Sequence, residues 1–201
     1  MGQGQAISLL SRFYAHFKQE KYIISAGRAL NLLNITTQNG GVKAYFQNST
    51  EYWWYEEYPT QPYSLFVLNG FMYSMFGIFD FISVYRMINN NSHLRIYNEQ
   101  AVVLFKNGLK SLQRMISSYD SGIRSFYDLR HLSNPKINPN VARWDYHKLH
   151  VSQLNFLISI IEGGIFNDLF DKTDVRLLKV IRKRWSNYTI GKWNKNSQIK
   201  T

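Results

Sequence analysis

The side chains best suited to chemistry fall in two tyrosine-centred stretches. One is Trp53-Trp54-Tyr55-Glu56-Glu57-Tyr58-Pro59. The other is Tyr127-Asp128-Leu129-Arg130-His131, followed by Ala142-Arg143-Trp144-Asp145-Tyr146-His147. They put carboxylates, phenols, guanidiniums and imidazoles into segments that read as non-helical and lie between amphipathic helices, where sites usually sit. This mixture suits proton transfer at a carbon next to a carboxylate. Such chemistry needs a base on one face, an acid on the other, and donors that hold the carboxylate as it becomes an enediolate.

Taken singly, each candidate has a plain structural explanation. A buried Tyr with a satisfied hydroxyl is common, and Arg130 paired with Asp128 would brace a loop. His147 and His150, three apart at a helix start, could share a face and bind a metal, but no acidic or Cys partner stands at a fixed spacing from them. Glu56-Glu57 reads as a solvated turn, except that aromatic residues flank it on both sides.

The elements that position these stretches have helical periodicity and come in pairs. Gln5 to Gln19 is expected to bury Ile7, Leu10, Phe13, Tyr14 and Phe17, and Lys21 to Leu33 to bury Ile23, Ile24, Ala26, Ala29, Leu30 and Leu33. After the turn-rich Asn34 to Gly41, Val42 to Phe46 and Glu51 to Tyr58 read as a short hairpin turning at Asn48-Ser49. A second pair covers Leu65 to Met87 and Asn98 to Tyr119, separated by Asn89-Asn90-Asn91-Ser92. Ser125 to Leu129 reads as extended. The third pair is Tyr146 to Ile161 and Asp174 to Tyr188, with a short helical piece near Ile165 to Phe170. Three consecutive αα-hairpins with small strands in the loops predict a mainly α fold, an incomplete α/α toroid. The domain is expected over residues 1–192, with a basic tail at 193–201.

The length of 201 residues suits one domain with a sizeable core, and 45% apolar and 16% aromatic content exclude a disordered chain. A net charge of +11, with 24 Lys and Arg against 13 Asp and Glu, implies an anionic partner. The absence of cysteine excludes disulfides and thiolate metal ligands. Asn-x-Ser/Thr acceptors at Asn34, Asn48, Asn90 and Asn187 favour a secretory context. Since no signal precedes the first helix, a lumenal protein would need residues ahead of Met1. Tyr63 to Phe79 is uncharged and nearly long enough to span a bilayer, but Asn69, Gly70, Ser74 and Gly77 dilute it, and an inner helix of an α protein reads the same way.

Met1 to Ser8, Trp54 to Thr60, Phe66 to Phe71, Tyr127 to His131 and Ala142 to His147 together resemble, in order, the C-terminal catalytic domain of the D-glucuronyl C5-epimerase family. The likeness runs from Met1 to about Lys192. Two loops depart from the family pattern, around Gln61-Pro62-Tyr63 and around Asn134-Pro135-Lys136, and both are expected to border the substrate cleft. The resemblance implies an isomerase of heparan sulfate and heparin biosynthesis that inverts C5 of D-glucuronate to L-iduronate within the polymer, without a cofactor or metal. It further implies a Golgi type II membrane protein, dimeric, glycosylated, with β-rich domains and an anchor outside this chain. The family's functional positions fall on Glu57, Tyr58, Tyr127, Arg130 and Tyr146, with Asn69 in support.

On that basis Glu57 and Tyr146 are the opposed acid/base pair, with Tyr58 and Tyr127 as donors or alternates. Arg130 is the forked clamp on the substrate carboxylate, with Asn69, Arg143 and His131 as further contacts. Nearby Arg130 or Arg143 is expected to lower a tyrosine pKa from its usual value near 10. The expected partner is an N-sulfated glucuronate polysaccharide and not nucleic acid. A uronate lyase, a non-catalytic heparin-binding module, and a glycosidase using Glu57 with Asp128 or Asp145 are the alternatives.

Overall fold

Leu65 to Val84 carries a single charged residue, Asp80, and most of it becomes the inner helix of the protein. A computed structural model describes residues 1–46, 49–88, 92–163 and 175–193. Among these residues lie seven α-helices and one small sheet. The helices are α1 (Gly2–Phe17), α2 (Glu20–Asn34), α3 (Leu68–Met87), α4 (Arg95–Met115), α5 (Arg130–Ser133), α6 (Trp144–Glu162) and α7 (Arg176–Tyr188). Strands β1 (Lys43–Tyr45) and β2 (Trp53–Tyr55) form an antiparallel hairpin with Lys43 opposite Tyr55. The fold is mainly α, as expected, with α1 packed on α2, α3 on α4 and α6 on α7. Asn48 of the hairpin turn, Asn89 to Asn91, the helical piece expected at Ile165 to Phe170, Asp174, and the basic tail beyond Trp193 lie outside the described residues.

Helix α3 is surrounded by α1, α4 and α6, and Phe71, Met72, Met75, Ile78 and Phe81 are fully buried along it. Each such side chain contributes about 1.5–3 kcal/mol through burial. No helix among the described residues is long and apolar enough to cross a membrane. The inner-helix reading therefore replaces the membrane one. Asp80 sits at the rim of α3, where it accepts hydrogen bonds from Ser8 Oγ at 2.5 Å and Arg12 Nε at 3.0 Å.

The buried face of α1 differs from expectation. Its buried positions are Gly4, Ile7 and Ser11, whereas Phe13 and Phe17 are exposed and pack with Tyr22 at the surface. The reason is a very close helix crossing. A Cβ at Gly4 would stand 2.4 Å from the Ser74 Cα, and one at Gly77 would stand 2.1 Å from the Gly4 carbonyl oxygen. Small residues thus select the contact face ahead of the large apolar ones.

The hairpin is bolted to the helices by its aromatic residues. Trp54 stacks on Phe71 with ring centroids 3.8 Å apart, and the Tyr55 hydroxyl donates to the Leu104 carbonyl of α4 at 2.6 Å. Both rings are fully buried. The chain leaving β2 therefore starts from a fixed point as it enters the Glu56–Tyr58 segment.

Candidate active site

Three non-helical segments lie side by side beyond the hairpin. The Tyr127 N–H donates to the Asn140 carbonyl at 2.8 Å, and the Ala142 N–H donates to the Ser125 carbonyl at 2.9 Å. On the other edge, the Leu68 N–H donates to the Tyr127 carbonyl at 3.1 Å and the Leu129 N–H to the Leu65 carbonyl at 3.0 Å. The extended segment expected at Ser125 to Leu129 is thus the middle of a short ladder, between the approach to α3 and the approach to α6.

This ladder brings four of the expected acid/base candidates together. The Tyr127 and Tyr146 rings meet edge to face, 4.8 Å between centroids. They line a 190 Å³ pocket with Asn140, Val141, Ala142 and Arg143. Glu57 and Tyr58 lie close enough to Tyr127 to act on its hydroxyl. Glu57 itself stands over the first turn of α3, where Gly70 makes room for it. A Cβ on Gly70 would lie 2.4 Å from Glu57 Oε2. That oxygen is shielded from water and has no hydrogen-bond partner among the described residues. Asn69, buried in the same turn, offers its carbonyl to Gln153 Nε2 at 3.1 Å and leaves Oδ1 without a partner.

Burial, then the neighbouring Glu57, Tyr58 and Tyr146, raise the Tyr127 pKa well above that of a free phenol. This corrects the expectation that a nearby arginine lowers it. Burial is the dominant cause, and Arg130, close by, is itself paired with a carboxylate. Its Nε lies 2.9 Å from both oxygens of Asp128 and its Nη2 lies 2.5 Å from Oδ2. Asp128 is completely buried and also accepts from Asn140 Nδ2 at 2.7 Å and from the Arg130 N–H at 3.1 Å. The Arg130 side chain remains 32% exposed. Its Nη1 edge makes no hydrogen bond to a described residue, so one side of the fork is left to face a ligand.

Arg143 is exposed, paired with Asp145 at 2.9 Å, and its guanidinium stands 5.4 Å from the Tyr146 ring centroid. His131 packs on Phe126 at 5.3 Å and does not line the tyrosine pocket. Burial lowers its pKa, opposed by Asp128.

Sequence reasoning gave no role to Glu56 or Asn140. Glu56 is buried, and its two oxygens accept the Phe66 N–H at 3.1 and 3.2 Å. Burial pushes its pKa up to about 8. The residue it grips, Phe66, has φ 55°, a left-handed conformation that costs an aromatic side chain about 1–3 kcal/mol. The Tyr119 hydroxyl holds the Phe66 carbonyl at 2.5 Å. Together they fix the bend that delivers Asn69 and Gly70 to Glu57. The period-two alternation of β2, continued from Trp54, would have placed Glu56 inside. Asn140 carries no such signal, because its partner lies twelve residues away.

The histidine pair is structural. The Ser125 N–H donates to His147 Nδ1 at 2.9 Å, which leaves His147 Nε2 to donate to the Trp185 carbonyl at 3.0 Å. Ser125 Oγ is 2.8 Å from His150 Nδ1. Burial lowers both pKa values, that of His150 to about 3. Both His147 nitrogens are taken by backbone groups. Among the described residues no cluster of three or more metal-ligating side chains occurs.

Residues 1–174 match the family described as D-glucuronyl C5-epimerase C-terminus. The chain is 39% identical over 198 residues to the D-glucuronyl C5-epimerase of Caenorhabditis elegans, covering 98% of this chain and 29% of that protein. It is 31% identical to an uncharacterized protein of Methanocaldococcus jannaschii, over 85% of this chain and 49% of the archaeal one. The chain therefore spans less than half the length of either relative. With the family pattern running through the hairpin, the inner helix and both tyrosine segments, the chain belongs to the D-glucuronyl C5-epimerase C-terminus family.

Proposed function

We propose that this chain supplies the acid/base machinery of an epimerase that inverts C5 of D-glucuronate to L-iduronate within a heparan sulfate-type polysaccharide. The observation that carries the reading is the gathering of Glu57, Tyr58 and Tyr146, from two other segments, around Tyr127, a tyrosine that stays protonated and lines a pocket with Tyr146.

In this mechanism Glu57 is the base. Its carboxylate takes the C5 proton, and the electron pair of the broken C–H bond passes into the C6 carboxylate, which becomes an enediolate. Tyr127, its pKa raised, keeps its proton and donates to the developing charge, with Tyr58 beside it. The free edge of Arg130 holds C6, and each well-placed donor of this kind contributes about 3–4 kcal/mol to the transition state. Tyr146 returns a proton to C5 on the opposite face, and exchange with water then resets Glu57 and Tyr146. Arg143 attracts the polyanion, and Asn69 steadies the base.

Two features weaken the glycosidase alternative. Asp128 is sealed beneath Arg130 and Asn140, and Asp145 is exposed and paired with Arg143. The proposal extends to an N-sulfated glucuronate polysaccharide as partner and to a glycosylated homodimer anchored in the Golgi membrane. The family membership and the four Asn-x-Ser/Thr acceptors support that extension. The test is the proton NMR spectrum of a glucuronate polymer incubated in D₂O with the full-length protein that contains this chain. Deuterium at C5 in an intact polymer is the expected result. An ultraviolet-absorbing product would indicate a lyase, and no exchange would leave only polysaccharide binding.

A further inference from the structure

A second cavity, larger than the tyrosine pocket, is separate from it. It has a volume of about 480 Å³, within the range of about 300–1,000 Å³ usual for small-molecule sites. Tyr45 and Tyr63 supply aromatic faces, Phe66 closes the apolar side, and Gln38, Ser64 and Ser133 add an amide and hydroxyls. No charged side chain lines it among the described residues. Aromatic faces with scattered hydroxyl and amide groups suit a sugar ring, which presents C–H bonds on one face and hydroxyls around its edge. The missing cations argue against a sulfate or carboxylate there, since a buried anion without a partner is costly.

The cavity is tied to the site by two elements. Its Phe66 wall is held by Glu56, next in sequence to Glu57. Ser133 ends α5, the helix that Arg130 begins. The loop between Tyr58 and Tyr63 runs from beside Tyr127 to the cavity and is pinned along its length. The Thr60 N–H donates to the Tyr58 carbonyl at 2.8 Å, Thr60 Oγ1 donates to the Tyr63 carbonyl at 2.7 Å, and Gln61 Nε2 donates to Thr37 Oγ1 at 2.8 Å. Of the two loops that depart from the family pattern, the first lines this cavity and the second begins beside it. Pro62 and Tyr63 come from the first, and Leu132 and Ser133 immediately precede the second.

We propose that this cavity is a subsite for an unsulfated amino-sugar ring of the same polymer, near the uronate that reacts, and that it sets substrate register in this chain. The proposal rests on the epimerase reading for its choice of polymer. The test is calorimetric titration of the 201-residue chain with a hexasaccharide of alternating glucuronate and N-acetylglucosamine, and with its fully N-sulfated counterpart. Tyr63→Ala empties one aromatic face and Ser133→Trp fills the cavity. Each should weaken binding of the unsulfated hexasaccharide at least tenfold and leave the sulfated one within twofold. Tyr63 is half exposed and Ser133 is partly exposed on the cavity wall, so circular dichroism should show both variants folded, and either alone decides the result. Variants that bind the unsulfated hexasaccharide like the parent chain, a parent that does not bind it, or equal losses for both sugars would overturn the proposal. Loss of binding in the variants together with no C5 deuteration by the full-length protein would keep the subsite and remove the epimerase.

Discussion

The tyrosine pocket and the histidine pair are built from the same two segments, yet their chemistry is opposite. Tyr127 and Tyr146 face a pocket that Arg143 also lines, and Tyr127 has Glu57 and Arg130 as further charged neighbours. Ser125, His147 and His150 point into the core, where both His147 nitrogens meet backbone groups. The first cluster has reactive groups left over beside open space, whereas the unpartnered His150 Nε2 of the second is fully buried. The second uses its hydrogen bonds to lock the ladder to α6 and α7. The difference shows that residue type alone does not mark a site. What marks it is polar capacity left unsatisfied beside open space.

The widest separation should appear in catalysis. Glu57→Gln and Tyr146→Phe in the full-length protein should each lower C5 deuterium exchange by about 10²–10⁴-fold, the usual contribution of a general acid or base. Melting temperatures should barely move, because neither reacting atom is engaged in holding the fold. Either variant retaining half the parental rate would take that residue out of the acid/base pair.

Arg130 stands between the two kinds of cluster, with one edge on Asp128 and one edge free. Arg130→Lys keeps the charge but cannot make a forked contact on two sides. The exchange rate should fall at least about tenfold, equivalent to about 1.4 kcal/mol of transition-state stabilisation. A normal rate would assign Arg130 wholly to bracing Asp128.

For the histidine cluster the loss should be one of stability. His147→Phe fits the aromatic surroundings but leaves the Ser125 N–H and the Trp185 carbonyl buried without partners, at a cost of about 1–3 kcal/mol for each group stranded. Urea denaturation measures this. Exchange per folded molecule should stay within a few-fold of the parent, and a hundredfold drop would mean that the cluster takes part in the reaction.

How much of this was legible in the sequence depends on the range of the interaction. Inner helix α3 was visible in an uncharged run, and the hairpin in Val42 to Tyr58, because both follow local periodicity. The buried face of α1 was not, since contact between Gly4 and Gly77 has no hydrophobic signature. Motif resemblance gathered Glu57, Tyr58, Tyr127 and Tyr146. The closure of Arg130 on Asp128 was weighed as a loop brace, but its third member, Asn140, arrives from another loop. For His147 and His150 metal binding was a minor reading, since no acidic or Cys partner stands at a fixed spacing; their partners, backbone groups for His147 and Ser125 Oγ for His150, are distant in sequence.

Glu56 gives a pH test that separates it from the histidines. Its folded pKa, raised to about 8 against an ordinary 4.5, favours the protonated form in the fold. Its contribution is therefore full below about 4.5 and lost as pH rises towards 8. The depressed histidines act the other way, their contribution being lost as pH falls from 6.5 towards about 3. Between pH 6.5 and 8 Glu56 is the group in transition, so the melting temperature should fall across that window. Glu56→Gln, which cannot ionise, should flatten the slope. A parental curve already flat there would mean that Glu56 ionises normally in the fold.

Arg143 should show the smallest effect and the clearest dependence on salt. Its ion pair with Asp145 is exposed on both sides, and such pairs contribute about 0–1 kcal/mol. Arg143→Ala should therefore leave the melting temperature unchanged. Its place on the tyrosine pocket makes it a long-range attractor for a polyanion whose charges are screened over about 10 Å at 0.1 M salt. Affinity for an N-sulfated glucuronate polymer should fall a few-fold at low salt and converge with the parent at high salt, while duplex DNA of matched charge binds both proteins more weakly. A loss that persists at high salt would instead place Arg143 in direct contact with the substrate carboxylate, beside Arg130.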